Sequence, residues 1–352
     1  MHTEAQTASA LWERYSRQML FAPLGRAGQE RLRQAHAAIV GCGALGSTQA
    51  DLLARAGIGR LTVVDRDYVE ASNLQRQRLY DEADARESLP KATAAARHLR
   101  QINSEVEIVP RAEDLNAGNI EELLAGAEII LDGTDNLDTR YLLNDYAVAR
   151  RLPWIYGAVV GAYGTTFTIR PGETACLECL FGAQPAGLVE TCDTRGVLNW
   201  AVQWVAAWQA GEAVKLAAGA SEALRPTLIA ADLWSNEWRE LQPPPRDPGC
   251  RACARGDFVY LRGERQPRIT LCGRDGVQIH EHRRHMAFAP LAERLAALGD
   301  VRYNDFILKF RPHPESEPRR LELTLFADGR AIVKGTTDPA AARSAYARYL
   351  GT

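Results

Sequence analysis

Residues 37–46, Ala-Ala-Ile-Val-Gly-Cys-Gly-Ala-Leu-Gly, carry an apolar strand straight into a Gly41-x-Gly43-x-x-Gly46 turn. Glycines at this spacing permit a tight turn, close backbone approach to a phosphate and close packing of the next helix on the strand. That helix points its free N–H groups and partial positive charge at the phosphate. A second apolar strand, 61–64, ends in Asp65, nineteen residues after Gly46. A βαβ unit sets a carboxylate against a ribose hydroxyl at such a place. The expected fold is α/β, a Rossmann-like doubly wound sheet with a nucleotide at its carboxyl edge.

The turn alone serves many nucleotides, and the residues after Asp65 narrow the choice. A dehydrogenase has no use for Ser72-Asn73-Leu74-Gln75-Arg76-Gln77, whereas a polyphosphate site needs cations and amides at that edge. Ser88-Leu-Pro90-Lys91 then opens a helix through about residue 101. Proline suits the first helical turn, so Lys91 stands where a cation opposes the helix dipole and calls for an anionic partner. A triphosphate would be one; an ordinary surface lysine is the other reading. Another apolar strand, 128–132, ends in Asp132-Gly-Thr-Asp135-Asn136, at the sheet edge where doubly wound folds bind ligands. Asp132 is also placed to cap the following helix.

The runs Gly41-Cys-Gly-Ala-Leu-Gly46, Asp65-Arg-Asp67 and Ser72-Asn-Leu-Gln-Arg-Gln77 together resemble the MoeB/ThiF adenylyltransferases, relatives of the ubiquitin-activating enzymes. The resemblance reaches to about residue 254, some seven-tenths of the chain. It implies an ATP site made by Gly41, Gly43, Gly46, Asp65, Asp67, Asn73, Gln77 and Asn136. Arg76 and Lys91 would meet the phosphates and Asp135 would hold magnesium, a hard cation suited to oxygen ligands. Arg140, Tyr141 and Asn144 on the next helix are secondary. Arg14 and Arg17 read by themselves as solvated helix charges. The resemblance implies instead that the Arg14-Tyr-Ser-Arg17-Gln18 element enters the neighbouring subunit's site, with Arg17 as an arginine finger in trans and the protein a homodimer. Ala44, where many relatives have glycine, adds only a methyl group.

The stretch 153–170 reads as strand, glycine-rich turn and strand. It is either a hairpin bend or, by the resemblance, a sheet extension where another chain's backbone comes close. Cys176-Leu-Glu-Cys179 and Cys250-Arg-Ala-Cys253 can each wrap one face of a metal, and together they complete a tetrahedral thiolate site for structural zinc. Cys192, on the Pro/Gly-bearing loop after Gly182, is either an inert thiol or, as in some family members, a reactive one. Trp200, Trp204 and Trp208 fall on one stripe of a long helix, 198–217, as core or subunit-contact residues do. The chain divides into an adenylation domain, 1–254, and a small α+β module, 255–352, of unassigned role. Docking of the protein substrate or a sulfur donor is the default reading for the module. Its Cys272-Gly-Arg-Asp-Gly-Val-Gln run lacks the arginine-closed persulfide loop of a rhodanese.

A net charge of −2 argues against a nucleic-acid or anionic-membrane partner. No stretch reaches about 18 uninterrupted apolar residues, and residues 1–10 lack a signal pattern. Seven cysteines without an export signal read as reduced thiols or metal ligands. The expected compartment is the cytoplasm.

Cations, a nucleotide cradle and one metal carboxylate, with no general base, suit a nucleophile that is already ionised. A carboxylate, with a pKa of about 4, is one. The resemblance implies the C-terminal Gly-Gly carboxylate of a ubiquitin-like sulfur carrier, adenylated by ATP before thiocarboxylate formation, with a cysteine desulfurase or rhodanese as sulfur donor. The alternatives are adenylation of another peptide or protein C-terminus, a nicotinamide or flavin oxidoreductase, and a silent zinc-stabilised scaffold for a ubiquitin-like partner. Arg76, Lys91 and Asp135 at separate strand ends favour adenylation over hydride transfer.

Overall fold

The computed structural model describes residues 12–183, 195–265, 270–271, 276–279, 286–315, 317, 320–327 and 329–350. Two compact units are present: 1–86 with 90–266, and 87–89 with 267–352.

In the first unit β1 (His36–Val40), β2 (Arg60–Val64), β3 (Glu107–Arg111), β4 (Ile129–Asp132), β5 (Trp154–Val160), β6 (Tyr163–Ile169), β7 (Leu228–Asp232) and β8 (Glu237–Leu241) make one sheet. Its order is β3-β2-β1-β4-β5-β6-β7-β8. The pairs from β3 to β5 are parallel, in the registers Val64↔Arg111, Val40↔Val64 and Val40↔Asp132. From β5 onward they are antiparallel. Every residue of β1 is buried, as a parallel strand covered on both faces requires. The chain leaves β1 toward β2 and β3, then returns to its other side for β4 and β5, so the switch point lies beside β1, where doubly wound sheets bind ligands. The stretch 153–170 forms the antiparallel pair β5 and β6.

Helix Asn199–Ala217 packs on helix Ala44–Ala56 and on β5 and β6. Its tryptophan stripe is only partly inside: Trp204 and Trp208 lie 5.1 and 5.8 Å from the ring of Trp238, while Trp200 stays half exposed. On the other side of the sheet Tyr141, Leu143 and Trp154 are fully enclosed, each such side chain stabilising by about 2–3 kcal/mol. Tyr260 stacks on Tyr141 and its N–H donates to Asp145 Oδ2 at 3.0 Å. That contact carries the compact unit past residue 254, the limit drawn from resemblance.

The second unit is an antiparallel sheet, β11-β12-β13-β14-β10-β9, built from Gly299–Tyr303, Ile307–Pro312, Glu322–Phe326, Ala331–Lys334, Gly276–Ile279 and Thr270–Leu271. Leu308, Phe310, Leu323, Leu325 and Val333 share a core with Leu295 of helix Phe288–Ala296 and with Tyr346 and Tyr349 of helix Pro339–Leu350. Strands β10 and β11, Gly276-Val-Gln-Ile and Gly299-Asp-Val-Arg-Tyr, are short and open on glycine, so no alternation in the sequence announces them. No helix among the described residues is long and apolar enough to cross a membrane.

Candidate active site

The end of β1 turns sharply at Gly41, whose φ of +85° lies in the left-handed region that only glycine adopts without cost. A side chain there would meet Gly133 O at 2.6 Å, and one on Gly46 would sit 1.8 Å from Gly41 O. These glycines are required by contact between the β1 turn, the β4 turn and the helix Ala44–Ala56. Gly43 differs: a Cβ there would meet only Gln77 Nε2, at 3.8 Å, leaving the room that a close phosphate needs. Gly43 is also the helix N-cap and brings no side-chain cap, so the partial positive charge of the first turn is left to suit an anion.

The β2 end is tied to this turn. Asp65 accepts from Cys42 N at 2.6 Å through Oδ2 and from Asp67 N at 2.7 Å through Oδ1. Burial pushes the Asp65 carboxyl up, while Lys91 pulls it back down. Lys91 is the first residue of helix Lys91–Ile102, with Pro90 as N-cap. Its ammonium lies 3.0 Å from Asp67 Oδ2 and its N–H donates to Asp67 O at 2.8 Å. Asp67 is thus an anionic neighbour that lets a nearly buried cation sit at a helix N-terminus. Tyr80 OH donates to Cys42 O at 2.6 Å, closing the floor of the cradle. Burial raises the Cys42 thiol to about 12, which keeps it neutral.

Asn73 and Gln77 are buried. Asn73 Oδ1 accepts from Glu70 N at 3.1 Å and holds the short turn 71–73 in place. Gln77 Oε1 has no hydrogen-bond partner among the described residues. Arg76, half exposed, donates to Ser72 O at 2.9 Å. Asp135 is exposed in the turn after β4. Asn136 caps helix Leu137–Arg150, its Oδ1 accepting from Thr139 N at 2.9 Å. Asp132 therefore does not cap that helix; it pairs with Arg140 at 2.9 Å and is wholly buried. Arg17 is not brought to the cradle: it is exposed on helix Ser16–Met19. Cys192 and Cys272 lie outside the described residues.

A model of the ThiF family matches residues 15–252. The sulfur carrier protein ThiS adenylyltransferase of Bacillus subtilis is 44% identical over 342 residues, 96% of this chain and 99% of that protein. The chain belongs to the ThiF family. This ThiF-family chain is also 37% identical to the SAMP-activating enzyme E1 of Haloferax volcanii, over 69% of this chain and 89% of that one. The crystal structure of E. coli MccB with MccA-N7isoASN shares its fold, with a TM-score of 0.60 at 24% identity over 69% of this chain and 74% of that one.

The ThiF-family chain gathers four of its seven cysteines at one point, although the two pairs are far apart in sequence. Cys176 Sγ lies 3.8 Å from Cys179 Sγ and 3.7 Å from Cys250 Sγ, and Cys179 Sγ lies 3.5 Å from Cys253 Sγ. All four sulfurs are within 4.8 Å of one another. Tetrahedral zinc–thiolate bonds place sulfurs roughly 3.8 Å apart, so the donor set fits zinc. Arg251, inside one cysteine pair, reaches Glu178, inside the other, at 2.6 Å and also Asp145 at 2.9 Å. Burial pushes the Cys176 thiol up, so thiolates at this point call for a cation.

Three contributors were missed from sequence. Gly133 packs against Gly41, and the signal was its place directly after a strand-ending aspartate. Arg66 pairs with Asp114 at 3.1 Å; burial works against its charge, while Asp114, Asp67 and Asp135 together raise its pKa. Arg66 thus lies within electrostatic reach of the carboxylates that follow β2, β3 and β4. The Asp132–Arg140 pair is the third, and no local pattern announces it.

Proposed function

We propose that this ThiF-family adenylyltransferase activates the C-terminal glycine carboxylate of a ubiquitin-like sulfur-carrier protein ending in Gly-Gly, using ATP and magnesium. The observation that carries the reading is the 44% identity to a ThiS adenylyltransferase along essentially the whole of both chains, with the cradle residues in one place. The carrier's ionised carboxylate oxygen attacks the α-phosphorus of ATP. A new P–O bond forms, the bond to the bridging oxygen breaks, and pyrophosphate leaves with that electron pair. No proton has to be removed from the nucleophile, which suits a site equipped with cations and amides. Alignment and charge neutralisation carry the catalysis.

In this reading the turn Gly41–Gly46 and the N-terminus of helix Ala44–Ala56 hold the phosphates, and Asp65 holds the ribose. Asn73 and Gln77 add amides at the same edge. Lys91 and Arg76 neutralise charge on the phosphates. The exposed carboxylate of Asp135 offers the hard oxygen that magnesium takes, with Asn136 beside it; magnesium, when bound, supplies charge neutralisation on the phosphate oxygens. Zinc on Cys176, Cys179, Cys250 and Cys253 ties two distant segments together and takes no part in the chemistry. Arg17 acts in the partner's site of a homodimer. Cys192 is the candidate thiol for any covalent step with the carrier, and a sulfur donor completes the thiocarboxylate. The cysteines, read as thiols and metal ligands, accord with the cytoplasm.

The test is isotope exchange between pyrophosphate and ATP. Exchange should require a Gly-Gly-ended carrier. Exchange driven by a free amino acid, or reduction of NAD without ATP use, would sink the reading.

A further inference from the structure

We propose that Arg140 is a positioning residue for the adenylation, holding the turn that carries Asp135 in register with the carbonyl edge of β5. The proposal rests on the functional reading above. Arg140 is 8% exposed and Asp132 is 0% exposed, so the pair lies under the surface of the turn. Arg140 Nε donates to Asp132 Oδ2 at 2.9 Å, and its Nη2 donates to Thr134 O at 2.7 Å and Gly157 O at 2.9 Å. The other oxygen of Asp132 accepts from Thr134 N at 2.9 Å and Thr134 Oγ1 at 2.7 Å. Both faces of the turn Gly133-Thr134-Asp135 are therefore held, and the same guanidinium crosses to β5.

The backbone under this junction is fixed as well. Gln49 and Gln209 each donate to Asp132 O at 2.9 Å, and Gln209 also donates to Ile155 O at 2.9 Å. A buried ion pair is poor at stabilising a fold, because its desolvation cost rivals its attraction. An apolar pair would hold β4 and β5 together equally well. What it would not do is fix the turn by directed bonds to two elements at once, and only the planar fork of arginine spans those acceptors. The triphosphate lies against the β1 and β4 turns, and the carrier tail is expected along the glycine-rich β5–β6 extension. Arg140 bonds to both supports. Its role is to set the distance between the two reactants, to which a rate is steeply sensitive.

The experiment compares Arg140→Lys with the double variant Asp132→Leu/Arg140→Met in carrier-dependent pyrophosphate exchange. Lysine keeps the charge opposite Asp132 but cannot span the acceptors. The double variant removes both charges together and leaves no uncompensated carboxylate, as Arg140→Ala would. Folded Arg140→Lys should lose about tenfold to a hundredfold in kcat. Its KM for ATP should stay within twofold, and its half-saturating magnesium concentration should rise. The double variant should melt lower, because Thr134 N–H and the Thr134 and Gly157 carbonyls lose these partners, and, where folded, exchange no faster than Arg140→Lys. A kcat within twofold of native in either folded variant overturns the proposal. So does a rise in the KM for ATP that matches the whole loss, since that places Arg140 in nucleotide binding. Failure of the native protein to exchange would instead sink the functional reading.

Discussion

Asn103 Nδ2 donates to the phenol oxygen of Tyr15 at 2.8 Å and also lies 2.8 Å from Ala54 O. Beside it Gln18 donates to Ala56 O at 2.9 Å and Arg14 to Ile102 O at 3.0 Å. The N-terminal Arg-Tyr-Ser-Arg-Gln element is therefore fastened to the C-terminal ends of helices Ala44–Ala56 and Lys91–Ile102. The Gly41–Gly46 turn and Lys91, the proposed phosphate cradle, lie at their N-terminal ends. A helix of 13 residues spans about 20 Å, far more than an arginine side chain reaches. Arg17 is consequently remote from the cradle of its own chain.

If Arg17 acts at all, it acts across a dimer, and mixing defective subunits tests this. Arg17→Ala and Asp135→Ala proteins should each be inactive alone. After subunit exchange, half of the dimers are mixed, and each holds one site with both defects and one with neither. Recovery of about a quarter of native exchange activity is expected from two-fold symmetry. No recovery after verified exchange would exclude action in trans.

Lys91→Ala should lower exchange by at least about 10²-fold, as removal of one electrostatic stabiliser does. It should also lower Tm, but less than loss of a fully buried pair, because Asp67 keeps 21% of its side chain in water. Lys91→Ala/Asp67→Asn should recover Tm without activity. Recovery of both would mean that the pair matters for folding alone.

Elemental analysis should find one zinc per chain. Cys176→Ser or Cys250→Ser should lower Tm, and prolonged chelation should do the same, because metal binding to a preformed set of thiolates supplies folding free energy. Native protein that melts unchanged after its metal is stripped would rule out a structural role.

His36 gives a pH signature. Its ring lies 2.8 Å from Thr62 Oγ1, and burial holds its pKa below the usual 6.5. Between the folded and unfolded values the unfolded chain binds the extra proton, so stability falls as pH drops below about 6.5 and is unaffected above it. The stability difference between native protein and His36→Gln, from urea unfolding, should be flat above pH 7 and shift against the native protein toward pH 5.5. A difference independent of pH across that range would refute the assignment.

The geometry of the Gly41–Gly46 turn and its neighbours was legible in the sequence because it is local. Gly41, Gly43 and Gly46 sit within one turn, Asp65 ends the adjacent strand, and Lys91 follows the proline that starts its helix; spacing alone states each geometric need. The cysteine pairs were legible as pairs, since three-residue spacing is also local, but only folding brings Cys176 to within 3.7 Å of Cys250. Tertiary structure alone decided that Gly133 touches Gly41, that Asn136 caps a helix while Asp132 takes Arg140, and that Arg17 stands a helix length from its own cradle. These are contacts between segments far apart in the chain or choices between neighbouring carboxylates and amides. No periodicity encodes them, because they follow from how β1, β4 and β5 align and from which buried polar atoms then lack partners.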